Sequence, residues 1–281
     1  MQPHKIIYYS DELHDDFANT KGAKPIKVTA DYKFLKKGPL WRLGSFILYR
    51  FIATPLAYLF CRLFYGVRIE NRRALQKIKG GFFLYGNHTQ HACDAFIPTL
   101  VTFPKRAYIV TLVTFPKRAY IVTSTDAVAI PVVKILVRML GGIPLPTERK
   151  GIIPFFGATK SLAEHHSVVM IYPEAHIWPY YTKIRPFDDG AFLYPVKTGR
   201  PAAAFTVTYR ERKIFKNRHP LITVRVSEPF YPDTSLPANK ARRKLRDEVY
   251  DFMVRSASCD QPEYYKYIKA ENKADTDDPD S

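Results

Sequence analysis

Gly81-Phe82-Phe83-Leu84-Tyr85-Gly86-Asn87-His88-Thr89-Gln90-His91-Ala92-Cys93-Asp94-Ala95-Phe96 decides the reading of this chain. Its apolar, aromatic first part predicts a buried strand. Gly86-Asn87 then breaks the run, and a cluster of His, Cys and Asp follows at once. Polar reactive groups released at the end of a buried strand are what an open α/β sheet offers a ligand. His88 is the candidate general base and Asp94 the candidate group that orients it. An imidazole takes a proton efficiently near neutral pH when a carboxylate fixes its tautomer. The alternative is a turn whose histidines are merely solvated.

The pattern recurs downstream. Val168-Val169-Met170-Ile171-Tyr172 reads as a second buried strand and empties into Pro173-Glu174-Ala175-His176. Between the two lie a helix from Val128 to Leu140, ended by Gly141-Gly142, an extended Ile143-Pro144-Leu145-Pro146, and a helix from Ile152 to His166. The start of that last helix, beside Arg149 and Lys150, would favour a phosphate. Pro201–Tyr209 and Leu221–Val226 read as strands, a helix is expected near Gly190–Val196, and Lys240–Arg255 reads as a basic amphipathic helix. Strands alternating with helices predict an α/β domain.

Thr99–Val110 is repeated letter for letter as Thr111–Val122. A perfect repeat present twice is no solenoid signature. Only one copy of Ala-Tyr-Ile-Val can occupy one sheet position, so the second is expected in the sheet and residues 107–118 are expected to be extruded or to form an extra hairpin. Long surface insertions are tolerated.

Upstream, residues 1–40 read as a polar, irregular lead-in. Residues 41–66 are apolar and aromatic, with Arg50 and Arg62 in the run and Pro55 inside it. The uninterrupted apolar part falls short of the roughly 20 residues of a span, and Pro55 would kink a helix. One or two helices lying in a membrane interface are expected, anchored by Trp41, Tyr49 and Tyr58. Residues 259–281 read as a polar tail without order.

The chain has 281 residues, 46% of them hydrophobic, and 43 Lys and Arg against 26 Asp and Glu, for a formal net charge of +17. Such a field attracts anionic lipid, phosphorylated substrates or nucleic acid. No RNP-like, helix-turn-helix or zinc-finger pattern is present, which argues against a nucleic-acid partner. Cys61, Cys93 and Cys259 are odd in number and far apart, which suits a reducing compartment. The polar start, Met1-Gln2-Pro3-His4-Lys5, has no signal-peptide core.

Taken in order, these blocks resemble the lysophospholipid acyltransferase superfamily, which includes the 1-acyl-sn-glycerol-3-phosphate acyltransferases, over residues 40–230. Asn87-His88…Asp94 is similar to the family's Asn-His-x4-Asp block, although five residues intervene and Cys93 holds the strict position of the acid. Gly142–Arg149 is similar to the block that ends in a phosphate-contacting arginine. Tyr172-Pro173-Glu174-Ala175-His176 is similar to Pro-Glu-Gly-(Thr/Ser)-Arg, with Ala175 for the glycine and no counterpart to the arginine. The resemblance implies a single mixed sheet flanked by helices over residues 67–258, preceded by the membrane-associating segment. It implies transfer of a fatty acyl group from acyl-CoA or acyl carrier protein to a lysophospholipid or glycerol phosphate, in phospholipid biosynthesis at the cytoplasmic face of a membrane. His88 and Asp94 would be catalytic. Arg149, Lys150, Glu174 and Asn87 would bind substrate, and no metal or other cofactor is expected. A backbone N–H near residues 173–176 would serve the oxyanion. Two alternatives stand beside this: a metal-dependent hydrolase using His88, His91 and Asp94, all competent zinc ligands, and a non-enzymatic lipid-binding protein.

Overall fold

The computed structural model describes residues 3–17, 26–36, 38–102, 118–125, 131–215 and 218–270. At its centre is β3 (Phe82–Gly86), whose five residues are all buried. A strand covered on both faces needs no alternation of polar residues, which is why Phe82-Phe83-Leu84-Tyr85 is continuously apolar. Burying each such side chain contributes about 1.5–3 kcal/mol. Gly86 is its last residue, and a Cβ there would collide with the ring of Phe205.

β3 belongs to a seven-stranded mixed sheet. The others are β2 (Arg68–Glu70), β4 (Ala119–Thr123), β5 (Gly142–Pro144), β6 (Val168–Ile171), β7 (Ala202–Arg210) and β8 (Leu221–Val226), in the order β2-β8-β7-β3-β6-β4-β5. β3 runs parallel to both β6 and β7, and β4 and β5 continue the parallel set. Among these strands β7 and β8 are the antiparallel pair. The carboxyl ends of β3, β6, β4 and β5 therefore share one edge of the sheet.

The pleat divides the core. Phe83, Tyr85, Val169 and Ile171 face α5 (Ile152–Glu164) and α7 (Ala238–Ala257), against Phe155, Leu162, Leu245 and Val249. Phe82, Leu84, Val168 and Met170 face the other way, toward Leu75, Ile97, Leu100 and Cys61. That second face carries α2 (Thr54–Phe64) and α3 (Ile97–Thr102). α4 (Pro131–Met139) leads to β5, and α6 (Leu193–Thr198) precedes β7.

The apolar segment differs from expectation. α1 (Pro39–Ile47), a π-helical stretch (Leu48–Ala53) and α2 form one run without a break, long and apolar enough to cross a membrane. Pro55 sits in the first turn of α2, where its missing N–H is tolerated. The π stretch absorbs the proline, and Thr54 Oγ1 donates to the Tyr49 carbonyl at 2.7 Å. Leu43, Phe51, Ile52, Leu56, Leu59 and Leu63 are exposed along this run, an apolar patch of the kind that marks an interaction surface.

The lead-in and the tail are also more ordered than the sequence suggests. β1 (Lys5–Tyr9) and β9 (Tyr265–Lys269) form a second, two-stranded parallel sheet from opposite ends of the chain. In the duplicated segment, Thr99–Thr102 of the first copy completes α3, and Ala119–Val122 of the second lies in β4. Residues 107–117 fall outside the described residues, as do 271–281.

Candidate active site

β3 delivers Asn87 and His88 to the carboxyl edge of the sheet. The Asn87 side chain is buried and clips the loop to β7: Nδ2 donates to the Val207 carbonyl at 3.0 Å, and Oδ1 accepts from the Val207 N–H at 2.7 Å. Both ends of the amide are engaged with backbone. Asn87, expected to bind substrate, holds the loop through these two bonds.

His88 and Asp94 meet. His88 Nδ1 lies 2.7 Å from Asp94 Oδ2, with 17% of the His88 side chain exposed and 4% of the carboxylate. Against an ionised carboxylate Nδ1 is the donor, and in the neutral ring that tautomer leaves Nε2 as the acceptor. Asp94 Oδ2 also accepts from the Gln90 N–H at 2.9 Å. Burial pushes the Asp94 carboxyl above the usual range, and the hydrogen bond and charge of His88 pull it back. The imidazole stacks on Tyr172, with centroids 4.2 Å apart and planes within 13°. The Tyr172 hydroxyl donates to the Asp94 carbonyl at 2.6 Å.

The extra residue between His88 and Asp94 is taken up in a turn. Asp94 N–H donates to the Gln90 carbonyl at 2.9 Å, and Phe96 and Ile97 N–H both reach the Cys93 carbonyl at 2.8 Å. Cys93 points into the core and meets Cys61 of α2 with their sulfurs 3.6 Å apart. The neighbouring Cys61 thiol, then burial, push the Cys93 thiol far up, so it has no acidic role. The loop of the dyad thus rests directly on the apolar helix.

Glu174 is buried and engages protein groups. Oε2 accepts from the His88 N–H at 3.1 Å and Oε1 from the Arg185 N–H at 3.2 Å. Arg185, 1% exposed, pairs with Glu174 Oε2 at 3.4 Å, donates to the Glu174 carbonyl at 3.2 Å and to the His176 carbonyl, and stacks over Trp178. Burial raises the Glu174 carboxyl and the Arg185 charge opposes it. Glu174 therefore anchors the backbone of His88. Arg185 is the functional residue the sequence reading missed: it stands eleven positions from its partner in a stretch without periodicity, and only its charge could have drawn attention.

The loop after β6 is strained where it closes. Ala175 (φ 63°) and Tyr180 (φ 59°) both adopt the left-handed region, at a cost of about 1–2 kcal/mol each for a residue with a side chain. The Ala175 and His176 N–H groups donate to Tyr172 and Glu174 carbonyls, and Pro173 has none. Those groups are not available as oxyanion donors.

Arg149 and Lys150 are exposed on a 3₁₀ turn (Arg149–Gly151) just after β5. The strand they follow, β5, lies three strands from β3, about 14 Å across the sheet. His91 is exposed, and His176 faces Asp16 at 3.6 Å. Among the described residues no three His, Cys, Asp or Glu converge as a group that could hold a metal ion.

Comparison with known proteins agrees with this geometry. The model of the Acyltransferase family matches residues 66–208. The chain also superposes on the crystal structure of PlsC, the 1-acyl-sn-glycerophosphate (LPA) acyltransferase from Thermotoga maritima, with a TM-score of 0.52 and 18% identity, covering 78% of this chain and 90% of that one. No curated protein matches the chain.

Proposed function

This chain belongs to the Acyltransferase family, and from that premise we propose that it moves a fatty acyl group from acyl-CoA or acyl carrier protein to a hydroxyl of a phosphorylated glycerolipid, 1-acyl-sn-glycerol-3-phosphate first among the candidates. The observation that carries this is the 2.7 Å contact between His88 Nδ1 and a buried carboxylate. Nε2 takes the acceptor's hydroxyl proton as that oxygen attacks the thioester carbonyl. The C–S bond then breaks, and the imidazolium returns the proton to the departing thiolate. Asp94 holds the imidazole and offsets its charge. Arg149 and Lys150 hold the acceptor's phosphate through charge-assisted hydrogen bonds, and positioning of that kind supplies much of the rate.

The α1–α2 run is the membrane contact in this reading, at the cytoplasmic face. It packs on the dyad's own face of the sheet, which supports delivery of lipid substrates directly to the loop. Changing Phe51, Leu56 and Leu63 together to Glu is expected to weaken binding to anionic vesicles at least tenfold in co-sedimentation, since each buried apolar side chain is worth about 1.5–3 kcal/mol. All three are exposed, so the thermal midpoint should change little.

The reading is tested with a panel of lysophospholipid and glycerol-phosphate acceptors assayed with both donor types. Ester product with stoichiometric thiol release from a phosphorylated acceptor is expected. Release of free fatty acid alone would make the chain a hydrolase, and vesicle binding without turnover would make it a lipid-binding protein.

A further inference from the structure

The connection between β7 and β8 carries an exposed apolar tip in a basic setting. Residues 210–219 contain Arg210, Arg212, Lys213, Lys216 and Arg218 against Glu211 alone. At the tip Ile214 is 73% exposed and Phe215 66%. Phe215 adopts φ 58°, a region that bulky residues rarely enter. Its carbonyl accepts from the Arg218 N–H at 3.0 Å, and the Arg218 guanidinium lies 5.1 Å from its ring centre. Lys213 and Arg218 are exposed. The tip falls beyond residues 66–208, outside the family match.

The sheet register sets Gly86 of β3 beside Phe205 of β7. β7 runs on to Arg210, about 17 Å past the end of β3, so the hairpin projects from the edge that carries the dyad. The dyad loop is tied to it: the Tyr209 hydroxyl donates to the Thr89 carbonyl at 2.9 Å and lies 2.8 Å from Thr89 Oγ1. The base of the hairpin is tied in turn to the end of the apolar run. Arg212 donates to the Phe64 carbonyl, Arg210 Nη2 donates to the Gly66 carbonyl at 2.9 Å, and His219 stacks on Tyr65 with centroids 4.1 Å apart. Leu63 and Phe64 are exposed there, as are Arg62 and Arg68. Burial pulls the Arg210 guanidinium down, Arg68 and Arg62 add to this, and Glu70 opposes it. Basic charge therefore gathers where the hairpin meets α2.

We propose that the β7–β8 hairpin is a second membrane contact, selective for anionic phospholipid. Ile214 and Phe215 enter the acyl region, and Lys213 and Arg218 take head-group phosphates, with Arg62 and Arg68 behind them. The inference rests on the reading of α1–α2 as a membrane contact and names the lipid that this end of the molecule selects. A soluble anion would meet the cations and leave two large apolar side chains in water, whereas an anionic bilayer satisfies both. An acidic protein would match the charge, but the continuity of the tip with exposed Leu63 and Phe64 favours lipid. Docking here brings the dyad loop to the head groups, where a phosphorylated acceptor resides.

The test is co-sedimentation of the full chain with vesicles of phosphatidylcholine alone or mixed with phosphatidylglycerol. The wild type is expected to bind the mixed vesicles at least tenfold more tightly, and added salt should erase most of that preference. Lys213→Glu with Arg218→Glu should bind mixed vesicles about tenfold more weakly and phosphatidylcholine as the wild type does. Ile214→Ser with Phe215→Ser should weaken binding to both about tenfold. All four side chains are exposed, so the thermal midpoint should stay at the wild-type value and show that each variant folds. Wild-type binding by either variant, or equal binding of the two vesicle types by the wild type, overturns the proposal. So does unchanged vesicle binding with loss of binding to acyl carrier protein, which would assign the hairpin to an acidic protein. If changing Phe51, Leu56 and Leu63 to Glu costs no binding while the hairpin variants lose it, the α1–α2 contact falls and the hairpin contact stands. No vesicle binding by the wild type ends both.

Discussion

His88→Ala should lower kcat for acyl transfer by about 10²–10⁴, the worth of a positioned general base, while KM for both substrates changes little. The ring makes one hydrogen bond, to Asp94, and stacks on Tyr172. Neither contact reaches the Arg149 turn or the α1–α2 face, so lipid binding should survive. Thiol release measured with saturating donor and acceptor reads the loss directly, and the vesicle-binding assay confirms that the variant still docks. Turnover within threefold of the wild type would remove His88 from the mechanism.

Glu174→Leu should act on stability first. It leaves the Arg185 guanidinium, 1% exposed, without its carboxylate, and removing one partner of a buried pair typically costs about 3–5 kcal/mol. It also strips the His88 N–H of its acceptor. For a chain of this size the thermal midpoint should fall by roughly 10 °C. The double change Glu174→Leu with Arg185→Met should recover most of that, because a well-packed apolar pair can replace a buried ionic one. Activity should not recover, since His88 still lacks its anchor. A midpoint unchanged in Glu174→Leu would mean that the pair is solvated in solution and that Glu174 is free for another role.

These two residues show what a sequence can and cannot disclose. β3 was readable because a strand buried on both faces must be continuously apolar, and His88 followed from its position at the strand's end. Asp94 is preferred to Cys93 on chemistry and against the strict spacing, since a thiol cannot orient an imidazole as a carboxylate does. The turn shows how the extra residue is accommodated. It is the hydrogen bonds from Asp94, Phe96 and Ile97 that rotate Cys93 into the core and Asp94 toward the ring. Glu174 looked like a ligand because its neighbours are reactive. Its partner, Arg185, is fixed by folding of the loop after β6 and by the Glu12 carbonyl, 3.3 Å from Nη1 and far away in the chain. No local pattern encodes such a contact. The terminal strands carry a signal, since Lys-Ile-Ile-Tyr-Tyr and Tyr-Lys-Tyr-Ile-Lys have the β-branched and aromatic content of strands. Each is too short to stand alone, and its partner lies at the other end of the chain. In the apolar helix, Pro55 reads as a kink, whereas a π stretch before it keeps the run continuous.

That the imidazole at 88 and the carboxylate at 94 work as one catalytic unit is tested most directly by a double-mutant cycle on kcat: wild type, His88→Ala, Asp94→Ala and both. Residues that act together lose their effect together. The double variant should be no slower than His88→Ala within about threefold, with Asp94→Ala alone already down by most of the same factor. Losses that multiply in the double variant, or an Asp94→Ala enzyme as fast as the wild type, would contradict the pairing on which the mechanism stands.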